Sequence, residues 1–347
     1  MQAAPGRHRW RAALVAVSAA LGPVFALAGA ASAPAASSGF GPDARAWLQR
    51  IHTAARQRNY QGTLVVSADG QMSSLRMAHF CEGQQCFERV DMLDGQPQRV
   101  YRHNEQVLTL WPVAKVARFE QRDPVALFPA VLSGSEEQLF ERYDMIAQGS
   151  ERVAGLDAAV FLLRPRDAHR FAQRLWADQG SGLLLRADVL SADGRVLETA
   201  AFTEVTIGIK PAPESVTAPM KKLDGYRVVR TAPRRTGLEA EGWRLAIPVA
   251  GFKQVSCVKR SLEAAGDAPA SASASGAADV LQTIFSDGLT HVSVFVEPLH
   301  ADRHRAGAGA FGATHTLMQP LGSFWITVVG DVPMTTLKQF ADALVRR

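Results

Sequence analysis

The stretch that decides the fold runs from Arg152 to Thr206 and reads RVAGLDAAVFLLRPRDAHRFAQRLWADQGSGLLLRADVLSADGRVLETAAFTEVT. Its strand-like segments are VFLLRP, RFAQRLWAD, GLLLRADVL and RVLETAAFTEVT, and polar joints at 166–168, 179–182 and 192–194 separate them. Glycine and aspartate in such joints suit tight turns. Because the joints are too short for crossover helices, we expect an antiparallel meander. The meander contains no set of side chains typical of a catalytic centre.

The amino terminus predicts export. Three arginines precede an apolar run, 12–30, that ends in small residues, which is the order found in secretory signal peptides. We expect residues 1–33 to be the signal peptide, with cleavage after Ala28 or Ala33. No second run of about 18 apolar residues follows, so we expect the mature chain to be soluble.

Charge gives no support for a nucleic-acid partner. Three of the 38 lysines and arginines lie in the expected signal peptide, whereas none of the 33 acidic residues do. The remaining chain is therefore nearly neutral, and proteins that bind nucleic acid usually carry a marked positive charge.

Two of the three cysteines predict a disulfide. Cys81 and Cys86 flank the four residues 82–85 between strand-like segments, and a hairpin with a loop of this length places its flanking residues side by side. A metal site would need two more ligands with matching spacing, and the sequence shows none nearby. We therefore expect no metal and no cofactor. Cys257 is left over and is expected to be a buried thiol.

The first part of the mature chain, 34–207, predicts one domain. An amphipathic pattern indicates a helix over 42–58, strand-like segments follow from Tyr60, and the pattern between 123 and 146 turns helical. The meander then completes an antiparallel sheet with helices beside it.

The composition changes after this domain. Residues 208–242 are rich in proline, lysine and arginine and are interpreted as an extended, basic connector. A second domain, 243–347, is expected to include a mobile Ala/Ser tract at 268–278 and a hairpin turning on Asp287. It should end in a helix that begins at Pro333.

Three short motifs that resemble enzyme signatures lack the context that their chemistry requires. Gly307–Gly312 fits G-x-G-x-x-G but follows a polar segment instead of a strand, so we expect a flexible loop. Ser256–Lys259 fits S-x-x-K without its companion motifs. His300 and His304 have zincin-like spacing, but Ala301 replaces the glutamate that would act as the base. The chain is therefore not expected to be an enzyme, and an envelope hydrolase is the least favoured function.

Motifs in a fixed order over about 300 residues resemble the RseB/MucB family of periplasmic regulators of sigma-E-type envelope stress signalling. They are Tyr60-Gln61-Gly62-Thr63, FERVDMLDG at 87–95, RYDMIAQGSERVAG at 142–155, LWADQGSGLLLRADVLSADGRVLE at 175–198, Trp243 to Phe252, FSDGLTHVSVFVE at 285–297 and VVGDVP at 328–333. The resemblance implies an α+β fold. Its first domain would be a curved antiparallel half-barrel with helices, like the lipoprotein carrier LolA, and a smaller α+β domain would follow.

The resemblance also implies a function. The chain would bind the periplasmic region of a membrane anti-sigma factor of the RseA/MucA kind and shield it from site-1 proteolysis. Lipopolysaccharide or the acyl chains of lipoproteins would loosen this grip. A LolA-type carrier of lipoproteins or lipids is the alternative, and a homo-oligomer is a further assembly that the sequence allows.

The family pattern supplies no catalytic residues. Candidate partner-binding residues are the connector cations Lys221, Lys222, Arg234 and Arg235, together with Trp243 and Phe252 at the start of the second domain. For the two aromatic residues, ordinary core packing is the alternative.

Overall fold

The structure is a computed structural model that describes residues 42–121, 128, 136–231, 233–261 and 279–347. The expected signal peptide and the Ala/Ser tract lie outside the described residues. Within the described part of the chain, no helix is long and apolar enough to cross a membrane.

Among the residues that the structure describes, the first domain contains three helices and twelve strands. The helices are α1 (Pro42–Gln57), α2 (Glu136–Arg142) and α3 (Glu214–Lys221). The strands are β1 (Tyr60–Ala68), β2 (Gln71–Glu82), β3 (Gln85–Met92), β4 (Arg99–His103), β5 (Gln106–Trp111), β6 (Val116–Gln121), β7 (Tyr143–Val153), β8 (Leu156–Pro165), β9 (Ala172–Asp178), β10 (Leu184–Leu190), β11 (Val196–Ile207) and β12 (Arg227–Thr231).

These strands form one sheet in the order β12-β6-β5-β4-β3-β2-β1-β11-β10-β9-β8-β7. All neighbours are antiparallel except β12, which runs parallel to β6. The meander from β7 to β11 is present as predicted, and β11 pairs with β1 to join it to the amino-terminal strands.

Helix α1 covers one face of this sheet. Its predicted apolar stripe is confirmed, because Leu48, Ile51, Ala54 and Ala55 are all buried. Leu48 and Ile51 share an apolar cluster with residues of β7 to β10, and Ala54 shares a second cluster with residues of β1 and β2. Burial of an apolar stripe against a sheet is the main source of stability for such a helix. We call this side of the sheet the α1 face.

Helix α3 packs on the opposite face of the sheet. Val216 of α3 is fully buried in a cluster with Phe80, Phe87, Tyr101 and Leu108. We call this side the α3 face. Residues 208–242 are therefore not the extended connector that their composition indicated, because α3 and β12 lie within them and belong to the first domain. Sequence reasoning missed these elements because the prolines masked a short amphipathic helix, which has Pro219 inside it.

The second domain is smaller, and its described residues form a seven-stranded sheet. Its elements are β13 (Arg234–Arg235), a 3₁₀ helix (Glu239–Glu241), β14 (Trp243–Leu245), β15 (Lys253–Ser261), β16 (Asp279–Ser286), β17 (His291–Pro298), β18 (Gly307–Phe311), β19 (Thr314–Leu321), β20 (Phe324–Gly330), α4 (Met334–Ala343) and β21 (Leu344–Arg346). The sheet order is β13-β15-β16-β17-β20-β19-β18, and β14 pairs separately with β21. The predicted α+β class, with a large curved antiparallel sheet and a smaller second domain, is confirmed.

Three local predictions need correction. The stretch predicted to be helical between 123 and 146 is helical only in α2 among its described residues, and Tyr143 already begins β7. Gly307–Phe311 was predicted to be a flexible loop, but it is an edge strand. Its backbone groups form hydrogen bonds with β19, and this pairing needs no contribution from side chains. The second domain was predicted to end in a helix, but α4 ends at Ala343 and the short strand β21 follows it directly.

Candidate functional site

A buried ion pair joins the two domains. Arg170 lies in the joint between β8 and β9, and Asp287 lies in the turn between β16 and β17. Arg170 Nε is 2.5 Å from Asp287 Oδ2, and neither side chain is exposed to solvent. Two buried charges of opposite sign offset each other's desolvation cost only when their hydrogen bonds are complete.

The remaining polar atoms of this ion pair also have partners. The hydroxyl of Tyr143 donates to Asp287 Oδ2 at 2.9 Å. Asp287 Oδ1 accepts hydrogen bonds from the backbone N–H groups of Leu289 and Thr290 at 2.9 and 2.8 Å, so the same carboxylate also shapes its own turn. We call Tyr143, Arg170 and Asp287 the interdomain clasp.

The other two nitrogens of Arg170 are also bonded. Nη1 lies 2.5 Å from Asp167 Oδ2, and Nη2 donates to the carbonyl oxygen of Ala250 at 2.8 Å. The contact with Ala250 requires a glycine at the next position. Gly251 has a φ of +80°, and a Cβ atom there would lie 2.2 Å from Arg170 Nη2.

Burial and charge shift the pKa values of the clasp in directions that keep it intact. Desolvation, followed by the negative charge of Asp287, raises the pKa of Tyr143 well above its ordinary value, so the phenol stays protonated and can donate. Desolvation opposes the charge on Arg170, but Asp287 outweighs it and raises the pKa of the guanidinium.

A second contact joins the domains at the turn between β18 and β19. A Cβ atom on Gly312 in this turn would lie 2.7 Å from the Cβ atom of Ala68 at the end of β1. The backbone N–H of Ala313 donates to the carboxylate of Glu198 in β11. Burial first, and then the nearby charge of Asp331, raise the pKa of Glu198 above its ordinary value. This second contact, which we call the tip contact, therefore brings two carboxylates together.

A cavity of about 740 Å³ opens on the α3 face of the first domain. Strands β1, β2, β3 and β11 line it on one side, and residues 209–215, which lead into α3, line it on the other. Its wall combines apolar side chains, such as Phe80 and Ile209, with charged ones. The charged residues are Arg76, Arg89, Asp91, Glu204 and Lys210. The cavity is thus amphipathic.

The six predicted partner-binding residues divide into two groups. Lys221, Lys222, Arg234 and Arg235 are all exposed at or beyond the end of α3. Trp243 and Phe252 are buried in the core of the second domain, where only 3% and 8% of their surfaces are exposed. Both aromatic residues are therefore packing residues instead of surface contacts.

Each of these aromatic residues has a defined neighbour. The Trp243 ring meets Phe324 edge to face at 5.0 Å. The Phe252 ring lies 4.7 Å from the Arg170 guanidinium carbon, which places it beside the interdomain clasp.

The disulfide between Cys81 and Cys86 is confirmed. The two residues are directly opposite each other in β2 and β3, as the hairpin spacing predicted. His79 lies beside them, with Nε2 at 3.5 Å from Cys81 Sγ. Sequence reasoning missed this third side chain, although its position two residues before Cys81 places it on the same face of β2.

Sequence reasoning also missed the interdomain clasp. Arg170 was expected at the start of a strand, but the joint between β8 and β9 extends over 166–171 and leaves Arg170 free to reach the second domain. Asp287 was correctly expected in a turn, where an aspartate needs no further explanation. The role of Arg170 and Asp287 becomes visible only when the two residues are seen to pair in the structure. A single sequence contains no signal for the pairing of two such distant positions.

The chain is similar over most of its length to known regulatory proteins. Sequence models of the MucB/RseB N-terminal and C-terminal domains match residues 43–220 and 237–345. The sigma factor AlgU regulatory protein MucB of Pseudomonas aeruginosa is 30% identical over 317 residues, which are 86% of this chain and 90% of that protein. The sigma-E factor regulatory protein RseB of Haemophilus influenzae is 24% identical over 296 residues, 85% of this chain and 89% of that protein.

A solved structure matches the chain across both domains. The crystal structure of MucB in complex with MucA(peri) matches with a TM-score of 0.65 and 28% identity, and the match covers 88% of this chain and 99% of that chain. The relatives are named as regulatory proteins, which agrees with the prediction that this chain is not an enzyme. The two domain matches together span the first and second domains, so the chain belongs to the MucB/RseB family.

Proposed function

We propose that this protein binds the periplasmic region of a membrane anti-sigma factor and shields it from site-1 proteolysis, which restrains sigma-E-type stress signalling. One observation carries the proposal. The match to MucB, solved in complex with MucA(peri), extends through both domains and is not limited to a common half-barrel. A LolA-type carrier would have no evident use for a second domain with a core of its own.

A periplasmic location fits this role. The amino-terminal sequence has the order of a signal peptide, and the Cys81–Cys86 disulfide is the kind of bond that persists in oxidising compartments.

We infer that the exposed cations Lys221, Lys222, Arg234 and Arg235 contribute to the partner surface. The side chain of Arg234 is 65% exposed, although it lies 3.2 Å from Glu241. Exposed charges of one sign accelerate encounter with a partner of the opposite sign and make its binding dependent on salt. An acidic segment of the anti-sigma factor is the partner that this surface favours.

Sensing of lipid-bearing molecules is supported by the cavity on the α3 face. An amphiphile could place its acyl chains against Phe80 and Ile209 and its anionic group near Arg76 or Lys210. The segment that lines the cavity continues into α3, which ends next to the exposed Lys222. A ligand in the cavity would thereby contact the same segment that carries two of the proposed partner residues.

The decisive experiment measures cleavage of the anti-sigma periplasmic region by its site-1 protease, with and without the purified protein. We expect the protein to slow cleavage in proportion to the fraction of substrate bound. Addition of lipopolysaccharide should restore the rate. Unchanged cleavage at saturating protein would overturn the shielding role, and continued protection at saturating lipopolysaccharide would overturn the lipid response alone.

A charge-reversal pair tests the partner surface. The double variant Arg234→Glu/Arg235→Glu should bind the anti-sigma segment severalfold more weakly and with a shallower dependence on salt. Arg303→Glu/Arg305→Glu changes two arginines in the loop between β17 and β18 and serves as the matched control. If Arg234→Glu/Arg235→Glu and the control both kept the affinity and salt dependence of the wild type, the two arginines of β13 would not belong to the partner surface.

A further inference from the structure

Four polar or sulfur-containing side chains meet on the α1 face of the β2–β3 hairpin. His79 pairs across the hairpin with Glu88, and Cys81 pairs with Cys86. Because alternate residues of a strand point to the same face, all four lie on one side of the sheet. His79, Cys81 and Cys86 each offer one donor atom, and these atoms lie within 4.8 Å of one another.

The imidazole of His79 is held in one orientation. Its Nδ1 lies 3.2 Å from Glu88 Oε1, and Glu88 Oε2 in turn lies 3.5 Å from Arg102 Nη1. The Glu88 carboxylate accepts a hydrogen bond from Nδ1–H, which leaves the lone pair of Nε2 directed at Cys81 Sγ.

This arrangement resembles the outer shell of metal sites. Histidine ligands of metals usually donate their second N–H to a carboxylate, which fixes the ring and raises its basicity. The last turn of α1 adds a further favourable group, because the carbonyl oxygen of Arg56 lies 3.1 Å from Cys81 Sγ. The carboxyl end of a helix carries a partial negative charge that favours a cation.

We propose that reduction of the Cys81–Cys86 disulfide converts this cluster into a binding site for a thiophilic metal ion of the Zn²⁺ or Cu⁺ type. A dithiol reductant transfers two electrons and two protons to the disulfide and becomes a disulfide itself. The two new thiols then release their protons to solvent as their sulfurs bind the ion, and His79 Nε2 supplies the third ligand. Two thiolates and one imidazole are a donor set that such ions prefer.

The three proposed ligands differ in their exposure to solvent, and this difference suits a site that is controlled by reduction of the disulfide. His79 is only 5% exposed, whereas both cysteines are half-buried and open to a reductant. While the disulfide is intact, its sulfurs are not thiolates and cannot hold the ion. The hairpin would thus bind metal only under reducing conditions. This inference does not depend on the anti-sigma partner.

The test uses the full chain and Co²⁺ as a spectroscopic probe. The protein is reduced with a phosphine, freed of reductant under anaerobic conditions and titrated with Co²⁺. We expect one equivalent to bind with a thiolate-to-cobalt charge-transfer band, and Zn²⁺ should displace it. The oxidised protein, in which Cys257 is still a free thiol, should show no band. Absence of the band from the reduced protein would overturn the proposal.

Variants identify the third ligand. His79→Ala should weaken Co²⁺ binding at least tenfold, whereas His103→Ala on the neighbouring strand β4 and Cys257→Ser should bind like the wild type. Unchanged affinity in His79→Ala would also overturn the site, because the cysteine pair alone would then account for binding.

A second variant covers the case in which His79→Ala does not fold. Glu88→Gln keeps the ligands and removes only the charge that orients His79. Loss of a carboxylate in this position commonly costs about 10- to 100-fold in metal affinity. Equal Co²⁺ affinity in Glu88→Gln and in the wild type would contradict the proposed orientation of His79.

Discussion

Two of the contacts between the domains, the interdomain clasp and the tip contact, are opposite in their electrostatics. At the interdomain clasp, Arg170 and Asp287 bring opposite charges together without exposure to solvent. At the tip contact, the carboxylate of Asp331 lies close enough to Glu198 to disfavour the charge of Glu198. The first contact resists separation because an unpaired charge would stay buried, whereas the second is relieved when the domains separate.

This difference indicates which contact fixes the position of the second domain. Gly251 leaves room for Arg170 and for no side chain of its own, so a shift of the 250–252 loop would break the bond to Ala250. The tip contact includes a backbone hydrogen bond from Ala313 to Glu198. The clasp therefore positions the domain, and the tip contact adjusts how firmly it is held.

The largest expected effect comes from breaking the clasp. Asp287→Ala leaves the Arg170 guanidinium buried without its main partner, and loss of one member of a buried pair costs about 3–5 kcal/mol. The free energy of unfolding in urea should fall by this amount. Tyr143→Phe removes one donor and leaves the ion pair, so it should cost only about 1 kcal/mol.

Asp193→Ala, in the exposed turn between β10 and β11, is the control for general effects of losing an aspartate. A loss below about 1 kcal/mol in Asp287→Ala would mean that water reaches Arg170 and that the clasp does not position the domain.

The sequence could predict the elements better than the contacts between them. Turn residues such as Gly194 and the alternation along the strands predicted the meander, because both signals are local. The Cys81–Cys86 pair was predictable for the same reason. The prolines of residues 208–242 wrongly indicated an extended connector, since Val216 is buried only because β2 to β6 provide an apolar surface for it. In such a segment, tertiary packing outweighs the low intrinsic helix propensity of the residues.

The candidate site was less predictable. The exposed cations, such as Arg234, could be identified from composition. Whether Trp243 and Phe252 are buried or exposed could not, because it depends on the residues that pack against them. Their burial follows from the core of the second domain. The clasp joins positions 117 residues apart, and no local pattern encodes that distance.

A smaller effect is expected at the tip contact, and it depends on pH. Because the pKa of Glu198 is raised in the folded state, its contribution to stability is complete below its ordinary pKa of 4.5 and is lost as pH rises through the folded-state value. At neutral pH, Glu198→Gln should therefore be more stable than the wild type, by less than about 1 kcal/mol. The glutamine can still accept the Ala313 hydrogen bond.

The measurement is the free energy of unfolding of both proteins between pH 7 and pH 4. The advantage of Glu198→Gln should shrink as pH falls, and Glu82→Gln, at an exposed position in the β2–β3 hairpin, is the control for loss of a surface carboxylate. An advantage that is independent of pH would show that the substitution acts through packing and not through charge.

The smallest effect is expected where the chain passes from one domain to the other. Arg234 lies 3.2 Å from Glu241, but Glu241 also accepts a hydrogen bond from Thr236 at 2.8 Å and pairs with Lys259. Removal of the arginine therefore leaves no buried group without a partner, and exposed ion pairs contribute little. Arg234→Ala should change the free energy of unfolding by less than about 0.5 kcal/mol. A loss near that of Asp287→Ala would show that this passage, and not the clasp alone, holds the domains together.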